Sequence, residues 1–194
     1  MADRRSERRA ALREALVAAH VDAVLLTSLP NIRYITGFSG SSALALITAR
    51  DTLLITDFRY ATQVRDEVGD FARVAIESQS LWTGLWQLLP EIAGVKVVAF
   101  ESGNLLHRDF ERLLNAGGRW QWRPTNEMVE RLREQKDPDE VACILEAAEV
   151  ARRALERTLP QIGEGMSELE IAGVLEHSLR AEGSEGFPFE TIVA

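Results

Sequence analysis

Histidine and cysteine, side chains that readily carry metal, acyl or proton-transfer chemistry, are few in this sequence of 194 residues, which has three histidines and one cysteine. Such side chains hold a metal ion or build a catalytic relay only when they converge, and convergence on one element shows as short spacings such as His-Glu-x-x-His. No such spacing occurs: His20 follows an expected helix, His107 opens one, and His177 lies on another between Glu176 and Ser178. Each reads as a surface or capping residue, and the carboxylates are spread along helix faces as solvated charge is. Ser39 lies in Gly37-Phe38-Ser39-Gly40-Ser41. That run lacks the second glycine position of a nucleophile elbow and precedes an expected strand rather than a helix, so Ser39 is not read as a nucleophile. Cys143 lies beside Ala142 and Ile144 on an expected helix, without a polarising neighbour, and reads as a small packing residue. These residues yield no catalytic group and no metal ligand.

What remains is a glycine loop with its flanking elements, which read either as a plain hairpin or as a loop presented to a ligand. Residues 31–36 carry Ile32, Tyr34, Ile35 and Thr36, types that suit a pleated strand, and Gly37 and Gly40 then permit tight turns around Phe38. On that strand Arg33 would face away from Ile32 and Tyr34, exposed or paired. Residues 43–48 and 52–56 read as strands, so the loop has ordered chain on both sides. Residues 53–60 read as a buried strand ending in a polar turn, where Asp57 and Arg59 are expected to pair and fix the step into a helix over 58–68.

The alternation continues along the chain. Apolar spacing predicts helices over 4–20, 81–89 and 105–114, and strands over 23–26, 72–76, 95–100 and 119–123. Asn115-Ala116-Gly117-Gly118 is a helix stop, and Pro124 suggests a first domain of residues 1–125, a mixed sheet flanked by helices. Residues 126–194 differ in character. Asp137 before Pro138 suits the start of a long helix to 159, Ser167 with Glu170 suits a capping box for a helix to 181, and 189–193 reads as a strand. Two helices and one strand open a domain without finishing it.

Composition is that of an ordinary globular chain, 46% hydrophobic and 27% charged, and the formal net charge of −8 argues against a nucleic-acid partner. A single cysteine forms no internal disulfide and suits a reducing compartment. The charged first nine residues and the interrupted apolar pattern of 10–21 match neither a signal peptide nor a membrane span, which points to the cytoplasm.

Four ordered stretches together resemble one family. They are the glycine-loop segment 31–42, the strand and turn 53–60, the link Leu132-Arg133-Glu134-Gln135-Lys136-Asp137-Pro138-Asp139-Glu140-Val141 with Ile144, and the pair 165–171 and 187–194. The chain thus resembles the creatinase, prolidase and aminopeptidase P family over essentially its whole length. The resemblance implies an α/β fold: a creatinase/prolidase-type amino-terminal domain followed by an incomplete α+β pita-bread catalytic domain. It implies hydrolysis of the peptide bond before proline by two divalent metal ions (Mn, Zn or Co) held by two Asp, one His and two Glu. In the family those ligands lie beyond the strand corresponding to 189–193, so none is carried onto this sequence, and this segment alone is expected to be inactive. The resemblance further implies a proline-containing peptide substrate and a homodimer, in which the loop Phe38, Ser39, Gly40 and Ser41 caps the neighbouring active site, Phe38 offering an apolar wall. Asn31, Tyr34, Gly37, Asp57, Arg59 and Tyr60 are assigned to structure. The alternatives on the same fold are a noncatalytic binding or assembly module and a metal-free creatinase-like hydrolase.

Overall fold

The amino-terminal helix α1 (Arg5–Ala18) forms because Leu12 and Leu16 recur at helical spacing; both are buried. It leads into β1 (Ala23–Leu26), a strand without a single exposed residue. In the computed structural model, residues 3–116, 118–187 and 189–194 are described, Ala116 by its backbone alone. Gly117 of the expected helix stop and Pro188 of the family-like stretch 187–194 therefore lie outside the described residues, as do Met1 and Ala2.

The chain next forms α2 (Leu29–Thr36), where a strand was expected. The helix wins because Pro30 sits in its first turn, where its fixed φ is favourable and its missing N–H costs nothing. Its buried residues Asn31, Ile32, Ile35 and Thr36 recur at a spacing of four, and Arg33 is left exposed. Gly37, at φ +83°, ends it in the left-handed conformation, with its N–H on the Arg33 carbonyl. The first unit continues with β2 (Ala43–Thr48), β3 (Thr52–Asp57), a 3₁₀ turn (Phe58–Tyr60), α3 (Gln63–Val68), a second 3₁₀ turn (Gly69–Phe71), β4 (Arg73–Glu77), α4 (Leu81–Leu88), a third 3₁₀ turn (Leu89–Glu91), β5 (Val97–Glu101), α5 (His107–Ala116), β6 (Gln121–Thr125) and α6 (Met128–Glu134).

The six strands form one mixed sheet in the order β4-β3-β2-β1-β5-β6. β2 runs antiparallel to both neighbours, and the β3–β4, β1–β5 and β5–β6 pairs are parallel. Alternate residues of each strand serve opposite faces. Val24, Leu26, Ala45, Ile47, Leu54 and Ala99 meet α1, α2, α3 and α6 through Leu16, Ile35, Val68 and Val129. On the other side Leu25, Leu46, Ile55 and Phe100 meet α4 and α5 through Leu85 and Leu113. The sheet is thus covered by helices on both faces.

This first compact unit runs to Gln135, ten residues beyond the expected boundary of 125. Pro124 is not a linker residue but a member of β6, opposite Phe100, and it is tolerated there because β6 is an edge strand. The second unit, Lys136–Ala194, contains α7 (Pro138–Thr158) and α8 (Glu168–Ala181). Both begin with complete capping boxes, Asp137 with Glu140 and Ser167 with Glu170. Residues 189–194 form no strand in the described structure, correcting the expectation for 189–193: a strand needs a neighbour to pair its N–H and C=O groups, and none is present beside it. Cys143 is exposed rather than packed, on a helix whose Ile144 and Leu145 are exposed as well.

Candidate functional site

Because β2 and β3 are antiparallel, the start of β2 and the end of β3 lie side by side, Ala43 opposite Thr56. The loop 37–42 and the 3₁₀ turn 58–60 therefore meet at one end of the sheet, tied by Thr56 Oγ1 donating to the Ser42 carbonyl at 2.7 Å. Leaving Gly37, the chain is steadied by Thr36, whose Oγ1 donates to the Ile32 carbonyl at 2.7 Å and accepts from the Phe38 N–H at 3.2 Å.

Phe38 then turns inward. It is 1% exposed and packs edge-on against Tyr60, ring centroids 5.5 Å apart. The apolar wall expected of it is not on the surface: its ring folds back under Gly40, where an added Cβ would lie 2.3 Å from Phe38 Cζ. Gly40 is glycine for lack of space, and it is buried, while Ser39 and Ser41 remain exposed.

Each exposed serine is fixed from below. Glu67 on α3 accepts from the Ser39 N–H at 2.8 Å and from its hydroxyl at 2.5 Å, and Gln63 Nε2 donates to Ser39 Oγ at 2.9 Å. Burial alone would raise the Glu67 pKa, but these hydrogen bonds from Ser39 and Gln63 outweigh it and hold the carboxyl below its ordinary range. Ser41 Oγ lies 2.6 Å from Tyr60 Oη.

The expected Asp57–Arg59 pair forms. Arg59 Nε and Nη2 donate to the two Asp57 oxygens at 2.9 and 2.8 Å, and the Arg59 N–H adds a third bond at 3.1 Å. The hydrogen bond from the Arg59 side chain is the main reason that the Asp57 pKa falls to about 2. The turn so fixed holds Phe58 65% exposed, so the exposed aromatic at this end of the sheet is Phe58 and not Phe38. Sequence reasoning passed over Phe58; its signal is its place directly after a buried strand that ends at a capping Asp.

Asn31 and Tyr34 lie apart from the loop. Asn31, fully buried, donates from Nδ2 to Glu101 Oε1 and Glu130 Oε1, both at 2.6 Å, and accepts from Arg133 at 2.8 Å. Glu101 Oε2 accepts from the backbone N–H groups of Thr27 and Ser28 at 2.6 and 2.7 Å. The Tyr34 hydroxyl donates to the Leu132 carbonyl at 3.2 Å. Together these bonds fasten α6 to α2 and to the end of β5. Glu101, Glu130 and Arg133 are the members that sequence spacing did not bring together, being 70 to 102 residues from Asn31.

No three His, Cys, Asp or Glu side chains among the described residues are grouped to hold a metal ion. Nor is any helix among them long and apolar enough to cross a membrane.

The chain matches the creatinase/prolidase N-terminal domain over residues 8–135. It belongs to the creatinase/prolidase family. Residues 142–194 match metallopeptidase family M24, so the two parts occur in the order expected of a creatinase/prolidase chain. An uncharacterized peptidase, YqhT, of Bacillus subtilis is 32% identical over 90% of this chain and 49% of its own length. The Xaa-Pro dipeptidase from Bacillus anthracis superposes with a TM-score of 0.86 at 28% identity, over 93% of this chain and 50% of that one. An X-Pro aminopeptidase from Thermotoga maritima does so with a TM-score of 0.78 at 30% identity, over 93% and 51%. This chain spans about half the length of the curated relatives it matches.

Proposed function

We propose that this chain is the amino-terminal portion of a metal-dependent Xaa-Pro peptidase, an aminopeptidase P or a prolidase, that hydrolyses the peptide bond before proline. The observation that carries the reading is the ordered pair of domain matches, 8–135 and 142–194, together with similarity to about half of an Xaa-Pro dipeptidase and of an X-Pro aminopeptidase. The full-length enzyme would act as a cytoplasmic homodimer on proline-containing peptides.

In the full-length enzyme two divalent ions, Mn, Zn or Co, would supply an activated hydroxide and stabilise the tetrahedral intermediate. Among the described residues none is grouped to form such a centre, so no step is assigned to a metal on this chain. Its own contribution is proposed to be assembly and the capping of a neighbouring subunit's active site by Ser39, Gly40 and Ser41. Support comes from the loop's construction: exposed hydroxyls at Ser39 and Ser41 are held on a base of Phe38, Tyr60, Glu67 and Gln63, which favours positioning over mobility.

The test uses the full-length protein stripped of metal and reloaded with Mn, Zn or Co. Cleavage before proline, lost with chelator and restored with metal, is expected, and the ratio of rates on Xaa-Pro dipeptides and on longer peptides assigns prolidase or aminopeptidase. Absence of cleavage with every metal and both substrate lengths overturns the proposal in favour of a noncatalytic module.

A further inference from the structure

At the end of the sheet opposite the loop, the carboxyl-terminal turn of α1, the β2–β3 turn and residues 93–95 surround a cleft of about 460 Å³. That volume falls in the range of about 300–1,000 Å³ common to small-molecule sites. Its apolar side comes from Leu16, Val17, Val21 and Val95, of which Val17 is 71% exposed.

Arg13 supplies the cleft's half-buried charge. Its Nε donates to the Thr48 carbonyl at 3.2 Å and its Nη2 to the Arg50 carbonyl at 2.8 Å, so one edge of the guanidinium is fixed by backbone. The other edge, Nη1 with the second Nη2 hydrogen, has the fork geometry that takes a carboxylate through two parallel bonds. Arg4 and Arg5 at the start of α1 pair with Glu7 and Asp3, but among the described residues no carboxylate forms an ion pair with Arg13. Burial and then the neighbouring Arg9 disfavour its charge, and Asp51 favours it from a distance.

Two carboxylates line the same cleft. Asp22 is committed, its Oδ2 accepting from the N–H groups of Lys96 and Val97 at 2.9 and 2.8 Å. Asp51 is exposed, with its carbonyl rather than its side chain holding Thr48. With Arg50 the cleft is lined by two arginines and two aspartates, whose charges balance; a ligand carrying one negative and one positive charge beside an apolar group matches that balance, whereas a multiply charged anion does not.

We propose that this cleft binds a free apolar amino acid as its zwitterion, the carboxylate on the open edge of Arg13, the ammonium toward Asp51 and the side chain against Val17 and Leu16. Free amino acids are also what a prolidase releases, and this link to product sensing, unlike the binding itself, rests on the function proposed above.

Titrating the metal-free 194-residue chain with L-leucine under nuclear magnetic resonance tests the site without any catalysis, so it can fail or succeed independently of the peptidase reading. Saturable shifts confined to the backbone amides around Arg13–Asp22, Thr48–Asp51 and Ala93–Val97 are expected. L-leucinamide, without the carboxylate, and N-acetyl-L-leucine, without the ammonium, should each bind about tenfold or more weakly. Arg13→Gln should abolish the shifts, and since Arg13 also holds two carbonyls, Val17→Glu serves as the variant that spares the fold. Placing a carboxylate at an exposed position over the cleft, it should weaken leucine about tenfold with the rest of the spectrum unchanged. Shifts that do not saturate, leucinamide binding as well as leucine, or unaltered leucine binding by a folded Val17→Glu protein would each overturn the assignment.

Discussion

Phe38 lies beneath Gly40 with its ring against Tyr60, so Phe38→Ala removes the base of the loop rather than a wall of the pocket. The expected loss is about 3–5 kcal/mol of stability, read from chemical denaturation of the chain. In the full-length enzyme any fall in kcat/KM should accompany that loss of stability, because the ring acts through the loop it supports. A variant of normal stability with a lowered kcat/KM would return Phe38 to the substrate. At Asp57 the expected effect is one of pH. Its folded-state pKa is depressed from 3.8 to about 2, so the stabilisation it provides is complete above the unfolded value and is lost as pH falls from about 4 through about 2. Comparing the acid unfolding of the parent chain with Asp57→Asn should show a difference that narrows across that window. Because the pair is solvated on the Arg59 side, a small difference is expected. Identical pH profiles would mean that the pair contributes nothing to the turn.

Where local chemistry alone decides an element, the sequence shows it: Asp137 and Ser167 start helices, Asp57 closes its turn on Arg59, and the strands 23–26, 43–48 and 52–57 bury both faces. Replacing Asp137 or Ser167 by Ala should cost about 0.5–2 kcal/mol each, visible as lost helix content on mild heating. Unchanged melting of both variants would mean that neither cap limits its helix. Residues 31–36 read as a strand because β-branched Ile32, Ile35 and Thr36 favour strands, whereas Pro30 and the period-four burial of Asn31 and Ile35 set the helix; tertiary burial outweighs propensity. The same error displaced Phe38, since a helix ending in left-handed Gly37 sends the next residue back toward the core, while a strand would have sent it out to a loop tip. The Asn31 network could not be found from spacing at all, because a hydrogen bond across about a hundred residues leaves no local periodicity.

The two units differ in how much of their apolar surface they cover. In the first, helices close both faces of a six-stranded sheet, and Leu12, Leu25, Ile35, Leu46 and Leu54 are all buried. In the second, α7 and α8 bury Ala154, Thr158 and Ser178, while Ile144, Leu145, Leu155 and Leu169 stay exposed. Local opening free energy follows buried apolar contact, so backbone amides of 136–194 should exchange with solvent faster than those of the sheet strands in hydrogen-exchange measurements on this chain. The contrast should persist on dilution. Equal protection of both units that fades on dilution would show a second copy covering the exposed helix faces. Equal protection at every concentration would mean that the second unit is stable by itself, and that its exposed leucines and isoleucine are not the remnant of an unfinished core.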